Sequence, residues 1–358
     1  MKNTCFNKNL VLLTLLVSTF SLAAQKVDLD PWRFAYAYTR LPAKPLPEAY
    51  QTYNVIVQST GATRNTMPDE QVVFMVDLNG WKRVDAKGHV TVRLVFDNLI
   101  IEKSDVVERY EDKKDKDGKV TGRTYFYKPT IIYSFQSSAD AKDFKGASVY
   151  NATIDSRSFR KTWTGNETTS SKEAYDYMNN NRAVIKDNLL RDCVRNATNQ
   201  VNSSLNFDYG FSPVSGMDLV YLLDSKKHPE HEKHQAVVKA LKGDMAGMKA
   251  DIPMDKIAET FKPLMVYLEE SIKTYNKDEK SDKKMRYAAL YAMGKISYWL
   301  DDPDATIKYG ERLITNDFDT KDGKELVKWG TELKEAMKKN NVTSRHFRID
   351  LSAVEAPK

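Results

Sequence analysis

Three of the chain's five histidines, His228, His231 and His234, fall within seven residues. Imidazole is the side chain that most often holds a transition metal or moves a proton near neutral pH. On a helix begun by Pro229, His231 and His234 share a face, and with Glu230 they offer nitrogen and oxygen donors to zinc or copper. The spacing departs from the His-Glu-x-x-His arrangement: Glu232 follows His231, but the second imidazole comes one residue too early for a full turn. Lys226, Lys227 and Lys233 flank the run and repel a cation. The expectation is a solvated turn between helices, with metal binding by His228, His231 and His234 as the sharper alternative, and no cofactor.

Nucleophilic chemistry finds little support. Cys5 lies in the leader described below, which leaves Cys193 as the one cysteine of the mature chain and excludes an internal disulfide there. Cys193 sits on an apolar stripe with no histidine near it in sequence, the pattern of a small buried thiol. There is no Gly-x-Ser-x-Gly elbow, no Gly-x-Gly turn and no Gly-x-x-x-x-Gly-Lys loop to cradle phosphate. His89 and His346 lie in a strand candidate and near the tail. A carboxylate pair for glycoside hydrolysis could assemble from any part of the fold, but no feature singles one out. The 19 tyrosines could line a sugar or peptide surface, although alternating tyrosines in strands more often form cross-strand pairs. Trp299 and Trp329 fall on helical spacings that suit a core.

The elements that must position these residues begin with a leader. Lys2 and Lys8 precede an apolar run from Leu10 to Phe20, and Ser21, Leu22 and Ala23 supply small residues at a cleavage point, so residues 1–24 read as a signal peptide. Cys5 precedes the apolar run, which argues against a lipid anchor. Two of the 55 basic residues lie in this leader, so the mature chain carries 53 against 49 acidic, a formal balance of +4. The charges are interspersed, which argues against nucleic acid or anionic lipid as partner. No later apolar run is long enough to span a membrane. Cysteine poverty in an exported chain favours a bacterial envelope, periplasmic or associated with the outer membrane. The sequons at Asn151, Asn166, Asn196, Asn202 and Asn341 would matter only in a eukaryote.

Residues 25–50, punctuated by Pro31, Pro42, Pro45 and Pro47 and carrying Trp32, Phe34, Tyr36 and Tyr38, suit an extended arm whose aromatics pack on the domain that follows. Over 51–168 the period changes to two. Tyr53, Val55 and Val57 line one side of a strand, as do Val90, Val92, Leu94 and Phe96, and Val72 to Val76 reads as a strand covered on both faces. Asn79-Gly80 and Lys87-Gly88 supply residues that tolerate positive φ. A long hairpin is expected between Val107 and Ile132, with Tyr110 and Tyr125 to Tyr127 flanking the charged stretch Glu111 to Gly122. Further strands are expected at Thr130 to Phe135 and Ala147 to Trp163.

Ser170 and Glu173 form a capping box that opens a long connecting helix over 169–212. Its apolar residues Ile185, Leu189, Cys193, Ala197, Val201 and Leu205 recur every four, and Gly210 and Pro213 close it. Over 213–342 the pattern is helical almost throughout: Met217 to Leu223, Gln235 to Met248, Met254 to Tyr275, Lys284 to Leu300, Asp304 to Thr315 and Gly323 to Lys339. Residues 343–358 form a tail.

Tyr287 to Thr315 resembles a tetratricopeptide-type helix pair, less than a tenth of the chain. Leu290, Met293 and Gly294 sit where that repeat wants a bulky, a Leu-like and a small residue, Asp301-Asp302-Pro303-Asp304 makes the turn, and Ala305 and Tyr309 begin the second helix. The Gly294 to Ala305 spacing is one residue short, and Ser297 stands at the position expected to carry an aromatic, with Tyr298 beside it. The layout as a whole looks like envelope proteins of Bacteroidota. The two periods predict an α+β chain, with an N-terminal antiparallel β-rich domain and a C-terminal α-helical array, which the resemblance makes one of tetratricopeptide type. The resemblance also implies a concave surface for another envelope protein. The expected function is non-enzymatic binding or scaffolding, with an envelope hydrolase acting on glycans or peptides, and metal handling through the histidine run, as alternatives.

Overall fold

A computed structural model describes residues 26–357, so the expected leader lies outside the described residues. The α+β architecture is as expected: strands dominate the first half and helices the second. Strands β1 (Leu29–Arg40) and β2 (Thr52–Ser59) are followed by helices α1 (Gly61–Thr66) and α2 (Asp69–Met75). Strands β3 (Lys82–Arg83), β4 (Val90–Phe96), β5 (Ile100–Lys114), β6 (Val120–Ser134), β7 (Ser137–Asp143), β8 (Ser148–Asp155) and β9 (Lys161–Thr164) follow. One five-stranded sheet has the order β3-β2-β4-β7-β8, and a three-stranded sheet the order β5-β6-β9. The first is not purely antiparallel. β2 runs parallel to β3 and β4, because α1 and α2 carry the chain back across the sheet.

Period two holds well in β4, where Val90, Val92, Leu94 and Phe96 are buried and Arg93 is exposed. The stretch Val72 to Val76 corrects the reading of a strand: Val72 to Met75 belong to α2, and Val76 caps it. Pro68 stands at the helix entrance and Asp69 and Glu70 fill the first turn, where acids favour a helix start. A five-residue apolar run does not itself distinguish the two periods. Gly80 takes positive φ as expected, at 79°. Gly88 does not; a methyl group there would lie 2.7 Å from the Tyr53 backbone, so close approach is its reason for being glycine.

The long helix α3 (Ser171–Asp208) fits its sequence closely. The Ser170 hydroxyl accepts from the Glu173 N–H at 3.3 Å, while the Glu173 carboxylate takes the Thr168 hydroxyl rather than completing the capping box. Ile185, Leu189, Cys193, Ala197, Val201 and Leu205 are all buried, and they seal the first core against the sheets. Burial pushes the Cys193 thiol up to about 11, so it remains an unreactive part of that stripe.

The next element overturns two expectations. Met217 to Leu223 is not a helix but part of strand β10 (Ser212–Leu223), which pairs antiparallel with β1 over its whole length, from Leu29↔Leu223 to Arg40↔Ser212. Val220 and Leu222 are buried with Tyr221 less so between them, a short alternation that Leu223, also buried, ends and that a seven-residue apolar window leaves ambiguous. The arm is therefore a strand. Its aromatics pack on the helical half rather than on the domain that follows in sequence: Phe34 enters the second core, and Tyr36 stacks on Trp299 at 3.9 Å.

Beyond β10 lie α4 (His231–Gly243), α5 (Asp255–Thr274), α6 (Lys280–Trp299), α7 (Pro303–Asn316) and α8 (Thr320–Lys339). Tyr287 to Ile296 of α6 are buried, with β10 against this helix as well as α5, α7 and α8. Gly294 faces Leu326 of α8 rather than α7. The tightest helix contact is α7 against α8, where a methyl group on Gly310 would sit 2.8 Å from the Gly323 carbonyl oxygen. The tail has no regular structure but is docked. The Thr39 N–H donates to the Arg345 carbonyl at 2.8 Å, the Phe347 N–H to the Ala250 carbonyl at 3.1 Å, and Lys82 reaches the Val354 carbonyl. No helix among the described residues is long and apolar enough to cross a membrane.

Candidate functional site

The histidine run does not assemble as a ligand set. His228 is buried beside Tyr275, His234 is fully buried against Tyr267, and His231 is half-exposed. The Glu230 N–H donates to His228 Nδ1 at 3.2 Å, and the Leu223 N–H to His234 Nδ1 at 3.4 Å. A neutral ring that accepts at Nδ1 carries its proton at Nε2, so both rings present an N–H where a metal needs a lone pair. Burial lowers the His234 pKa to about 4, which keeps it neutral. Among the described residues no three His, Cys, Asp or Glu side chains converge as a metal site. The Tyr267 hydroxyl, beside Glu230, is raised by burial and by that carboxylate.

Two other ionisable clusters were not foreseen. Asp301 ends α6 in the left-handed region at φ 60°, and its carboxylate accepts from the Arg345 N–H and Nε, the Ser344 hydroxyl and His346 Nδ1, at 2.5 to 2.8 Å. His346 Nε2 donates to the Ala37 carbonyl at 2.9 Å. The three side chains are 3%, 4% and 0% exposed. Burial pushes the Asp301 carboxyl up, but the His346 hydrogen bond and the Arg345 charge outweigh it and hold the group at about 2. A histidine between a carboxylate and a carbonyl has no nitrogen left for a substrate proton. This cluster fastens the tail and β1 to α6.

The second cluster pins β10 to α6. Lys295 Nζ lies 2.9 and 3.1 Å from the Asp218 carboxylate oxygens, and Trp299 Nε1 donates to the same carboxylate at 2.7 Å. The ammonium sits 4.0 Å over the Trp329 ring, so its charge is met on two sides. Trp299 is buried as its spacing suggested.

Where the two halves meet there is a cavity of about 590 Å³. Four stretches of chain wall it: the proline segment with Leu46, the turn with Trp81, the end of α3 with Tyr209 and Phe211, and the chain after α8 with Val342, Phe347 and Ile349. Trp81 Nε1 donates to the Tyr209 carbonyl at 3.0 Å and so shows the cavity only its ring. Asn340 donates its amide to the Pro42 and Ala336 carbonyls, which fixes its flip; its Oδ1 is buried with no hydrogen-bond partner among the described residues. Glu48, Arg348 and Asp350 also line it. A depression of about 700 Å³ near Arg40, Tyr150 and Asn202 is larger but open and half polar. Its partial enclosure and its aromatic and proline lining make the junction cavity the best-formed small-ligand site among the described residues.

The prolines stand out in the sequence, but nothing there joins them to Tyr50, Trp81, Tyr209, Phe211 and Phe347, which come from positions as much as about 300 residues away. No family model matches the chain, and no curated protein matches it.

Proposed function

We propose that this is a non-enzymatic binding protein of a bacterial cell envelope, and that it holds an apolar group of a partner protein in the cavity between its halves. The supporting observation is the aromatic and proline-lined cavity, which suits an apolar side chain, with Glu48, Arg348 and Asp350 on its wall for the polar groups beside it. Binding on a bare helical groove, as a tetratricopeptide-like array would offer, is less well supported, since β10 covers part of α6. The ionisable clusters favour binding over catalysis, because the Asp301 and Asp218 groups are spent on holding the fold together. The basic, apolar and small-residue order of residues 1–24 supports export.

Photo-crosslinking tests the reading in cells. With benzoylphenylalanine at Leu46, on the cavity wall, a discrete adduct of defined mass is expected. The same group at Val266, exposed on α5, should give none. Adding Val342→Trp to fill the cavity should remove the Leu46 adduct. Adducts from Val266 alone would place the partner on the helices and defeat the cavity reading.

A further inference from the structure

Strand β5 is the open edge of its sheet, since the order is β5-β6-β9. Its register with β6 breaks between Ile101 and Lys103 and again between Lys113 and Lys114, which leaves a regular stretch from Lys103 to Lys113. Along that stretch alternate residues share a face, so Lys103, Asp105, Val107, Arg109 and Glu111 line one side. Their signs read plus, minus, apolar, plus, minus. Reversed about Val107, the series meets its own opposite at every charged position.

We propose that β5 pairs antiparallel with β5 of a second copy about a two-fold axis at Val107, joining two three-stranded sheets into one of six strands. A two-fold axis normal to a sheet sets one residue opposite itself, and the charges select which. Centred on Val107, Lys103 faces Glu111 of the second copy and Asp105 faces Arg109, each twice by symmetry. Centred on Asp105 or Arg109, the central residue meets its own charge. Val107 is 53% exposed, so an apolar contact closes the axis.

Within one copy Lys103 already lies 2.9 Å from Asp105, and Arg109 2.6 Å from Glu111. Glu167 also holds Arg109, at 2.7 and 2.5 Å, so Asp105 of the second copy joins a guanidinium that already has partners, and Lys103 facing Glu111 is the pair that the axis newly makes. Glu102 and Asp112 are the like-charged pair that falls nearest, at the end of the regular stretch. Each is already neutralised in its own chain, Glu102 by Arg160 and Asp112 by Arg123. Lysines and bulges of the kind found on guarded edges are present in β5, so the alternation of sign about Val107 selects one register rather than opening the edge to any strand. The other face sets Val106 against Glu108 and Ser104 against Tyr110, without charge conflict.

Sedimentation across a concentration series tests this with four proteins: wild type, Lys103→Glu, Glu111→Lys, and the double exchange. The wild type should dimerise. Either single reversal should weaken the dimer by about 10-fold or more, because two attractive cross-strand pairs become two repulsive ones. The double exchange, which swaps the partners' signs, should return the constant to within about 3-fold of wild type. Both side chains are exposed, so a circular dichroism spectrum like that of wild type is expected of every variant. A wild-type protein that stays monomeric to about 100 µM would overturn the proposal. So would a dimer indifferent to the single reversals, or a double exchange that fails to recover.

Discussion

Asp301→Asn should melt roughly 10 °C below the wild-type protein and free its tail to protease. Asparagine keeps the size of aspartate and tolerates the left-handed backbone that Asp301 adopts, but it removes the charge and turns one acceptor oxygen into an NH2 that faces a donor of this cluster. It leaves the Arg345 guanidinium, 4% exposed, and the fully buried His346 without their counter-ion. Breaking one side of a buried ion pair commonly costs about 3 to 5 kcal/mol. Local opening should take up part of that cost, because the tail is held to β1 by few other contacts. Trypsin cleavage at Arg345, shielded while docked, is then expected to speed up about 100-fold, in line with roughly 3 kcal/mol of lost protection. Unchanged melting with an intact Arg345 bond would show that the cluster does not hold the tail.

The same group sets an acid limit. Its carboxyl has a folded value of about 2 against an ordinary 3.8. A depressed carboxylate contributes stability in full above the ordinary value and loses it as pH falls through the folded one. The contribution is about 2 kcal/mol, and it should fade between roughly pH 4 and pH 2. The gap between wild type and Asp301→Asn should therefore narrow over that window, followed by urea denaturation at each pH.

Lys295→Met should cost about 3 kcal/mol in urea denaturation. Methionine replaces the aliphatic stem of lysine but removes the ammonium, which leaves the Asp218 carboxylate, its side chain 13% exposed, with Trp299 Nε1. Adding Asp218→Asn should recover much of the loss, since the amide oxygen still accepts from Trp299 and no unpaired charge remains. A Lys295→Met protein within about 0.5 kcal/mol of wild type would show that the pair adds nothing to docking β10 on α6.

Local pattern carried the reading where one period ran long enough to be unmistakable. The stripe from Ile185 to Leu205 continues through many turns, and a helix was the one element that could bury it. Val72 to Val76 and Met217 to Leu223 are too short for that, so a helix start signal decided the first and pairing with β1 the second. Position within the fold was harder to read. Trp32 to Tyr38 reads as extended whichever core it joins, and only its partner strand tells which. His346 and Asp301 stand 45 positions apart, and neither has neighbours that mark it as half of a buried pair. The junction cavity was invisible for the same reason, since its walls come from four separate stretches of chain.

Arg40 and Ser212 stand opposite one another at the end of the β1-β10 ladder. Everything from β2 to the end of α3 is thus an insertion, entered and left through one gate in the helical body. During synthesis the insertion is complete once α3 has emerged, while β1 must wait for β10, α6 and finally His346 before its surroundings exist. The host body closes last, around a guest that is already folded.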